Sequence, residues 1–294
     1  MTVINVPTIN DDWGDFQTLL GIWYQATQAQ AVRLEFRECR FLRQNAVAFL
    51  GGLVRLLRYR GIQTVIGVST LQPMVRKNLA KNGFLKKFVG EELPWTDNSI
   101  PYREDWHRNP SGFQHYLSTE WLGQGWIGVS PGLRDSIVER VAETYVNAFD
   151  HASSPVGVYT CGQYFPQLKQ LHLTLVDFGV GIPSNVRMYH QGRLPPDSLT
   201  GAKCMEWAFQ RGTSTRSQEG ISRGLGLDLL RSFIQTNKGR LEIMSHDGYI
   251  CIVDNGVTCD TLSRSFEGTL VNIRLQCDDR YYTLASENVS VVSF

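Results

Sequence analysis

Glu143 and Asn147 stand four residues apart in the run Glu143-Thr-Tyr-Val-Asn147-Ala-Phe-Asp-His151. On a helix, positions i and i+4 lie on one face, one above the other, so this spacing aims a carboxylate and a carboxamide at one point. The pair suits a hydrated divalent cation: the amide oxygen is a hard ligand, and the carboxylate can orient or deprotonate a water. Ile137, Val138, Val141, Tyr145, Ala148 and Phe149 recur at roughly helical spacing and would bury the neighbouring faces. Alone, a Glu and an Asn on a helix are more often a solvated edge.

Two later segments add chemistry. Leu173-Thr-Leu-Val-Asp177-Phe-Gly179-Val-Gly181-Ile-Pro183 reads as an alternating strand that ends in an Asp and is broken into a tight loop by glycines and a proline. An Asp at a strand end can accept a hydrogen bond from an exocyclic amine, and the glycines let a flat ring approach the backbone. The bland alternative is a plain Asp-Gly turn. Gly220-Ile-Ser-Arg223-Gly224-Leu-Gly226 runs straight into an apolar helix. Backbone amides at a helix start, with no Cβ in the way, form an anion seat. A dinucleotide fingerprint would need a third glycine where Leu229 stands, and a phosphate loop would need a Gly-Lys-Ser/Thr that is absent here.

Taken in this order, the three segments resemble the GHKL ATP-binding fold, shared by sensor histidine kinases, anti-sigma-factor kinases, gyrase and mismatch-repair ATPases. The Glu-x-x-x-Asn-Ala-x-x-His-Ala run from Glu143 is similar to its N-box, in the form typical of anti-sigma-type serine kinases. Asp177-x-Gly-x-Gly is similar to its G1 box and Arg223-Gly-Leu-Gly-Leu to its G2 box, and Gly268-Thr269-Leu-Val-Asn-Ile-Arg-Leu275 resembles its last strand. The resemblance covers residues 113–294. It implies that Asn147 ligates the magnesium bridging the triphosphate of ATP and that Glu143 polarises the attacking water or acceptor hydroxyl. Asp177 would accept from the adenine amine with Thr269 in support, and Gly179 and Gly181 would make room for base and ribose. Gly224 and Gly226 would seat phosphates beside Arg223, while His151 would pack or cap its helix.

The elements that must position these residues follow from periodicity. Residues 31–36 alternate as a strand, 46–59 carry helical spacing ended by Gly61, 62–68 read as a second strand and 71–80 as a second helix closed by Asn82-Gly83. This strand-helix-strand-helix order makes a small α/β unit over residues 1–90. Its shape resembles a STAS domain, the fold of anti-sigma-factor antagonists. The loop Phe41-Leu-Arg43-Gln44-Asn45-Ala46 lacks the hydroxyl that such domains phosphorylate, so the unit is expected to dock or regulate, or merely to pack on its neighbour. Residues 91–112, with Pro94, Pro101 and Pro110 among aromatics and polar residues, read as a linker. A short helix is expected over 113–122, ahead of the one that starts near Pro131. The fold class is therefore α/β: a small STAS-like domain followed by a GHKL (Bergerat) α/β sandwich.

Residues 183–220 are rich in Gly, Pro, Ser and Thr around one helical stretch at 202–209, and in the GHKL likeness this is the lid over ATP. Arg187, Arg193, Lys203, Arg211 and Arg216 are spread along it, and Gly212-Thr-Ser-Thr-Arg216 is a second candidate anion turn. A positive lid favours a triphosphate.

Composition narrows the class. The 294 residues carry a formal net charge of +1, which gives no whole-chain field for nucleic acid or an acidic membrane. No apolar run approaches a bilayer span. The six cysteines form no CxxC pair and no secretory signal is read, so they are expected to be reduced thiols in a cytoplasmic protein. The expectation is a Mg-ATP-binding signalling protein in which lid closure controls association with itself or with a protein partner. The alternatives are a serine/threonine kinase of the anti-sigma type acting on a separate partner, and a non-catalytic adaptor. His107 and His115 lie outside any long two-helix hairpin, which argues against autophosphorylation on histidine.

Overall fold

Three short strands near the N-terminus pair in parallel, in the order β1 (Thr2–Asn5), β2 (Ala31–Glu35), β3 (Gln63–Ile66). The computed structural model describes residues 1–94, 98–195, 198–210 and 226–289. Parallel neighbours need a crossover, and helices supply both. Helix α1 (Trp13–Thr27) begins at a capping box, with Asp12 accepting from the Asp15 amide and Asp15 from the Asp12 amide. Helix α2 (Gln44–Tyr59) is buried almost all round, from Gln44 through Val54 and again at Leu56 and Leu57. A helix apolar on every side must be covered on every side. Helices α3 (Pro73–Lys81) and α4 (Phe84–Val89) complete the unit. The strands and helices read from periodicity at 31–36, 46–59, 62–68 and 71–80 are present with ends shifted by a few residues, whereas β1, α1 and α4 were not anticipated from the sequence.

The linker expected at 91–112 is corrected. It contains β4 (Ser99–Asp105), the edge strand of a five-stranded antiparallel sheet. The prolines misdirect the reading because an edge strand tolerates them. Pro101 sits where the ladder with the next strand shifts register, between Ile100 and Arg103, so its missing N–H breaks no pairing. Ile100, Tyr102 and Asp105 are buried.

Helix α5 (Pro110–Tyr116) and a wide turn over Leu117–Trp121 follow, then β5 (Gly128–Val129) and the long α6 (Pro131–His151). Strands β6 (Val158–Phe165) and β7 (Gln170–Asp177) form a hairpin. Helices α7 (Ile182–Tyr189), α8 (Gly201–Ala208) and α9 (Gly226–Thr236) precede β8 (Arg240–Val253), β9 (Gly256–Gln276) and β10 (Tyr281–Tyr282), which pairs with β5. The large sheet runs β4-β6-β7-β9-β8, with β7 at its centre.

Alternation sends the two faces of this sheet to different partners. Leu171, Leu173 and Leu175 of β7, with Val271, Ile273 and Leu275 of β9, pack with Ile137 and Val141 of α6 and Leu230 and Ile234 of α9. On the opposite face Tyr159, Cys161, Val176, Met244 and Leu270 join α1 and α2 in a second core. The N-terminal unit thus lies against the back of the sheet. Gly51 and Gly52 permit this: a Cβ on Gly52 would fall 2.4 Å from Phe178 Cε2 and 2.5 Å from Tyr159 Cδ2.

Part of this joint is polar. Gln44 Nε2 donates to Asn272 Oδ1 at 3.2 Å, Thr174 Oγ1 donates to the same oxygen at 2.7 Å, and Asn272 Nδ2 donates to Glu242 Oε2 at 3.4 Å. Arg43 Nη1 meets Asp11 Oδ1 at 2.5 Å, and His172 Nδ1 stands 3.1 Å from Asp11 Oδ2. Burial holds the His172 imidazole below its ordinary range, against the pull of Asp11. Burial pushes the Asp11 carboxyl up, but His172, Arg43 and Arg274 outweigh it and the net direction is down.

The six cysteines are unpaired. Among the described residues no helix is long and apolar enough to cross a membrane.

Candidate functional site

Helix α6 starts at Ser130, whose Oγ accepts from the Leu133 amide at 3.2 Å, with Pro131 in the first turn. Ile137, Val138, Val141 and Tyr145 are buried, as their spacing predicts. Tyr145 is fixed further by the ring of Phe113, stacked at 4.1 Å, and by the Asn109 amide, which donates to its hydroxyl at 3.0 Å. This leaves Glu143, Asn147 and His151 on the adjoining face, where all three line a cavity of about 240 Å³.

The opposite wall is the end of β7. Asp177 is only 4% exposed, and its Oδ1 accepts from the Gly179 amide at 2.9 Å. Thr269 of β9 lies directly across the ladder from it. Burial pushes the Asp177 carboxyl up to about 7, while hydrogen bonds from Gly179 and Thr269 pull the other way. Ser245 of β8 joins the group: its Oγ lies 2.8 Å from Thr269 Oγ1 and accepts from the Ile182 amide at 2.8 Å. That bond ties the start of α7 to the sheet. Gly181 turns the chain into α7 with φ of 76°, a left-handed conformation that favours glycine.

Glu143, Asn147, Asp177, Gly181 and Thr269 are therefore brought together around one cavity, floored by Val158, Leu175, Ile243 and Val271. Gly179 is not among the residues that line this cavity: a Cβ there would strike the carbonyl of Ala152 at the end of α6, and Val180 N donates to the same carbonyl at 2.8 Å. Gly226 is the first residue of α9. Arg223, Gly224, Arg211 and the 212–216 turn lie outside the described residues.

The arginines of the 183–220 segment that are described have partners within that segment or on β8. Arg187 Nη2 pairs with Asp247 at 2.5 Å and its Nε donates to the Leu199 carbonyl at 3.0 Å. Arg193 lies over the Tyr189 ring at 5.0 Å.

Several wall residues escaped the sequence reading. Asn185 and Val186 come from α7, a helix hidden inside the segment taken as loop. Trp207 and Phe209 enter at the end of α8. The Pro at the second position of α7 and its short apolar pattern were the only available signals. Ser245 had none, because its role arises from three strands meeting.

Glu143 Oε2 lies 3.4 Å from Nη1 of Arg140, one turn earlier on α6. Among the described residues no three His, Cys, Asp or Glu side chains converge on a metal site. A cation held at the exposed Asn147 would therefore take most of its ligands from water and from the oxygens of a bound anion, which suits magnesium.

No protein-family model matches the chain, and a comparison with curated proteins finds no match either.

Proposed function

We propose that this chain is a Mg-ATP-binding signalling protein with a GHKL-type ATPase domain and a STAS-like N-terminal docking unit. One observation carries the reading. Glu143 and Asn147 on α6 face the same cavity as Asp177 and Thr269 on the sheet, although β6 and most of β7 separate Asn147 from Asp177 along the chain, and the α7–α9 segment with β8 separates Asp177 from Thr269. An acceptor for a purine amine at one end and a carboxamide beside a carboxylate at the other is the arrangement a nucleotide polyphosphate needs.

The adenine amine would donate to Asp177, with the Thr269 and Ser245 hydroxyls holding that carboxyl in place. The apolar floor of Leu175, Ile243 and Val271 would cover the flat ring. Asn147 would hold magnesium, which supplies charge neutralisation at the phosphates. Glu143 would orient the attacking water or hydroxyl and accept its proton. The amides at the start of α9, with Gly226 first, would seat the phosphates. Closure of the segment between α7 and α9 over the nucleotide would change how the chain meets itself or a partner.

A second reading, a serine/threonine kinase acting on another protein, is favoured by the buried start of α2. Gln44, Asn45 and Ala46 are buried there, and residues 41–46 contain no hydroxyl. A phosphoryl acceptor would have to be external.

Incubation with γ-labelled ATP tests both. Release of free phosphate that disappears in Glu143→Ala supports the ATPase. Label carried to a hydroxyl of a co-purified protein supports the kinase. No protection of the wild-type protein by Mg-ATP in thermal unfolding would overturn the nucleotide reading itself.

A further inference from the structure

Successive residues of a strand point to opposite faces. Asp177 faces the cavity, so Phe178 turns away from it, into the core shared with the N-terminal unit. Its ring is 1% exposed and sits 5.5 Å from Phe49, 6.3 Å from Tyr159 and 6.4 Å from Phe266, centroid to centroid. Phe49 and Gly52 are one turn apart on α2, so a single face of that helix forms the seat. The seat is tight: a Cβ on Gly52 would overlap Phe178 Cε2.

The backbone that carries this ring also aims the carboxyl. Gly179 N donates to Asp177 Oδ1 at 2.9 Å, and Phe178 N donates to Ser154 Oγ at 3.3 Å. Gly179 N is bonded to the Phe178 carbonyl carbon, so a backbone shift at Phe178, as when its ring is forced from this seat, moves the amide that orients Asp177. Close-packed cores transmit such shifts because they have no slack to absorb them.

We propose that Phe178 is a positioning residue for Asp177, and that Phe49 and Gly52 of the N-terminal unit make that unit part of the base-selecting machinery. The inference rests on the reading of Asp177 as the acceptor for a purine amine. The N-terminal unit then acts on the site directly: whatever displaces α2 alters which purine is held, not only how stable the fold is.

The test compares the affinities of Mg-ADP and Mg-IDP, which differ at the purine 6-position, for the full chain by calorimetry. Wild type should prefer ADP by about tenfold, the size of one hydrogen bond to a charged group. Phe178→Leu, Phe49→Leu and Gly52→Ala should each reduce that preference at least about threefold while leaving IDP affinity within about twofold of wild type. A merely structural role would lower both affinities together. Wild type that binds neither nucleotide overturns the reading of the site, and this inference with it. Wild type that prefers ADP, with Phe178→Leu and Phe49→Leu preferring it equally, overturns the inference alone.

Discussion

Asp177 and Thr269 sit opposite each other across the ladder between β7 and β9, and Ser245 reaches Thr269 from β8 at 2.8 Å. Three adjacent strands thus place one buried acid and two hydroxyls at one corner of the cavity. The acid is the group with the most pH-sensitive consequences.

Its carboxyl rises from about 4 to about 7 on folding. A raised carboxyl stabilises the fold below its unfolded pKa, and that contribution is lost as pH climbs through the folded value. The ligand-free protein should therefore lose stability between about pH 4 and about pH 7, and Asp177→Asn should lack this component of the fall. An amine donor favours the ionised form, so ADP binding should release a proton and tighten from about pH 6 to about pH 8. Calorimetry in two buffers of different ionisation enthalpy measures the proton; a flat affinity across this range would refute the assignment.

Ser245→Ala removes the acceptor of the Ile182 amide and a partner of Thr269. It should cost about 1 kcal/mol of stability and loosen the start of α7. Hydrogen exchange should quicken at Ile182 while the α6 amides keep their protection; unchanged exchange at Ile182 would count against the bond.

Glu143→Gln keeps the shape of the side chain and removes its charge. Turnover of ATP should drop by about 100-fold or more, with nucleotide affinity nearly unchanged, as expected when a proton acceptor is lost. Equal loss of affinity and turnover would make Glu143 a binding group instead.

Asp11→Ala leaves Arg43 and His172 without their carboxylate in the joint between α2 and the sheet. Breaking a buried pair from one side should cost about 3–5 kcal/mol. Chemical denaturation reads the loss, and limited proteolysis should show earlier cutting in the segment before α2. A loss below about 1 kcal/mol would mean that the pair is effectively solvated.

The parts legible in the sequence are those set by local spacing. The α6 stripe of Ile137, Val138, Val141 and Tyr145 is buried as read, and the helix expected at 202–209 is found at Gly201–Ala208. The strand ending at Asp177 is likewise local, because alternation and the following glycines are adjacent in the chain. What escaped depends on partners far away. β4 is a strand because β6 offers it an edge, and its prolines conceal that. Gly179 is a glycine for the sake of Ala152, 27 residues earlier, which no motif encodes. The polar residues His172, Thr174 and Asn272 on the other face of β7 and β9 look like solvent positions in the alternation, yet they are buried against Gln44 and Asp11, residues that carry no signal of their own.

The mixed joint between α2 and the sheet has an evolutionary corollary. Greasy contacts tolerate sliding, whereas the hydrogen bonds that link Gln44, Thr174, Asn272 and Glu242 need one seating of α2 on the sheet. A front unit borrowed from another protein would leave these donors and acceptors stranded unless it brought matching groups. The two halves of this chain are thus obliged to change together, like a lock recut with its key.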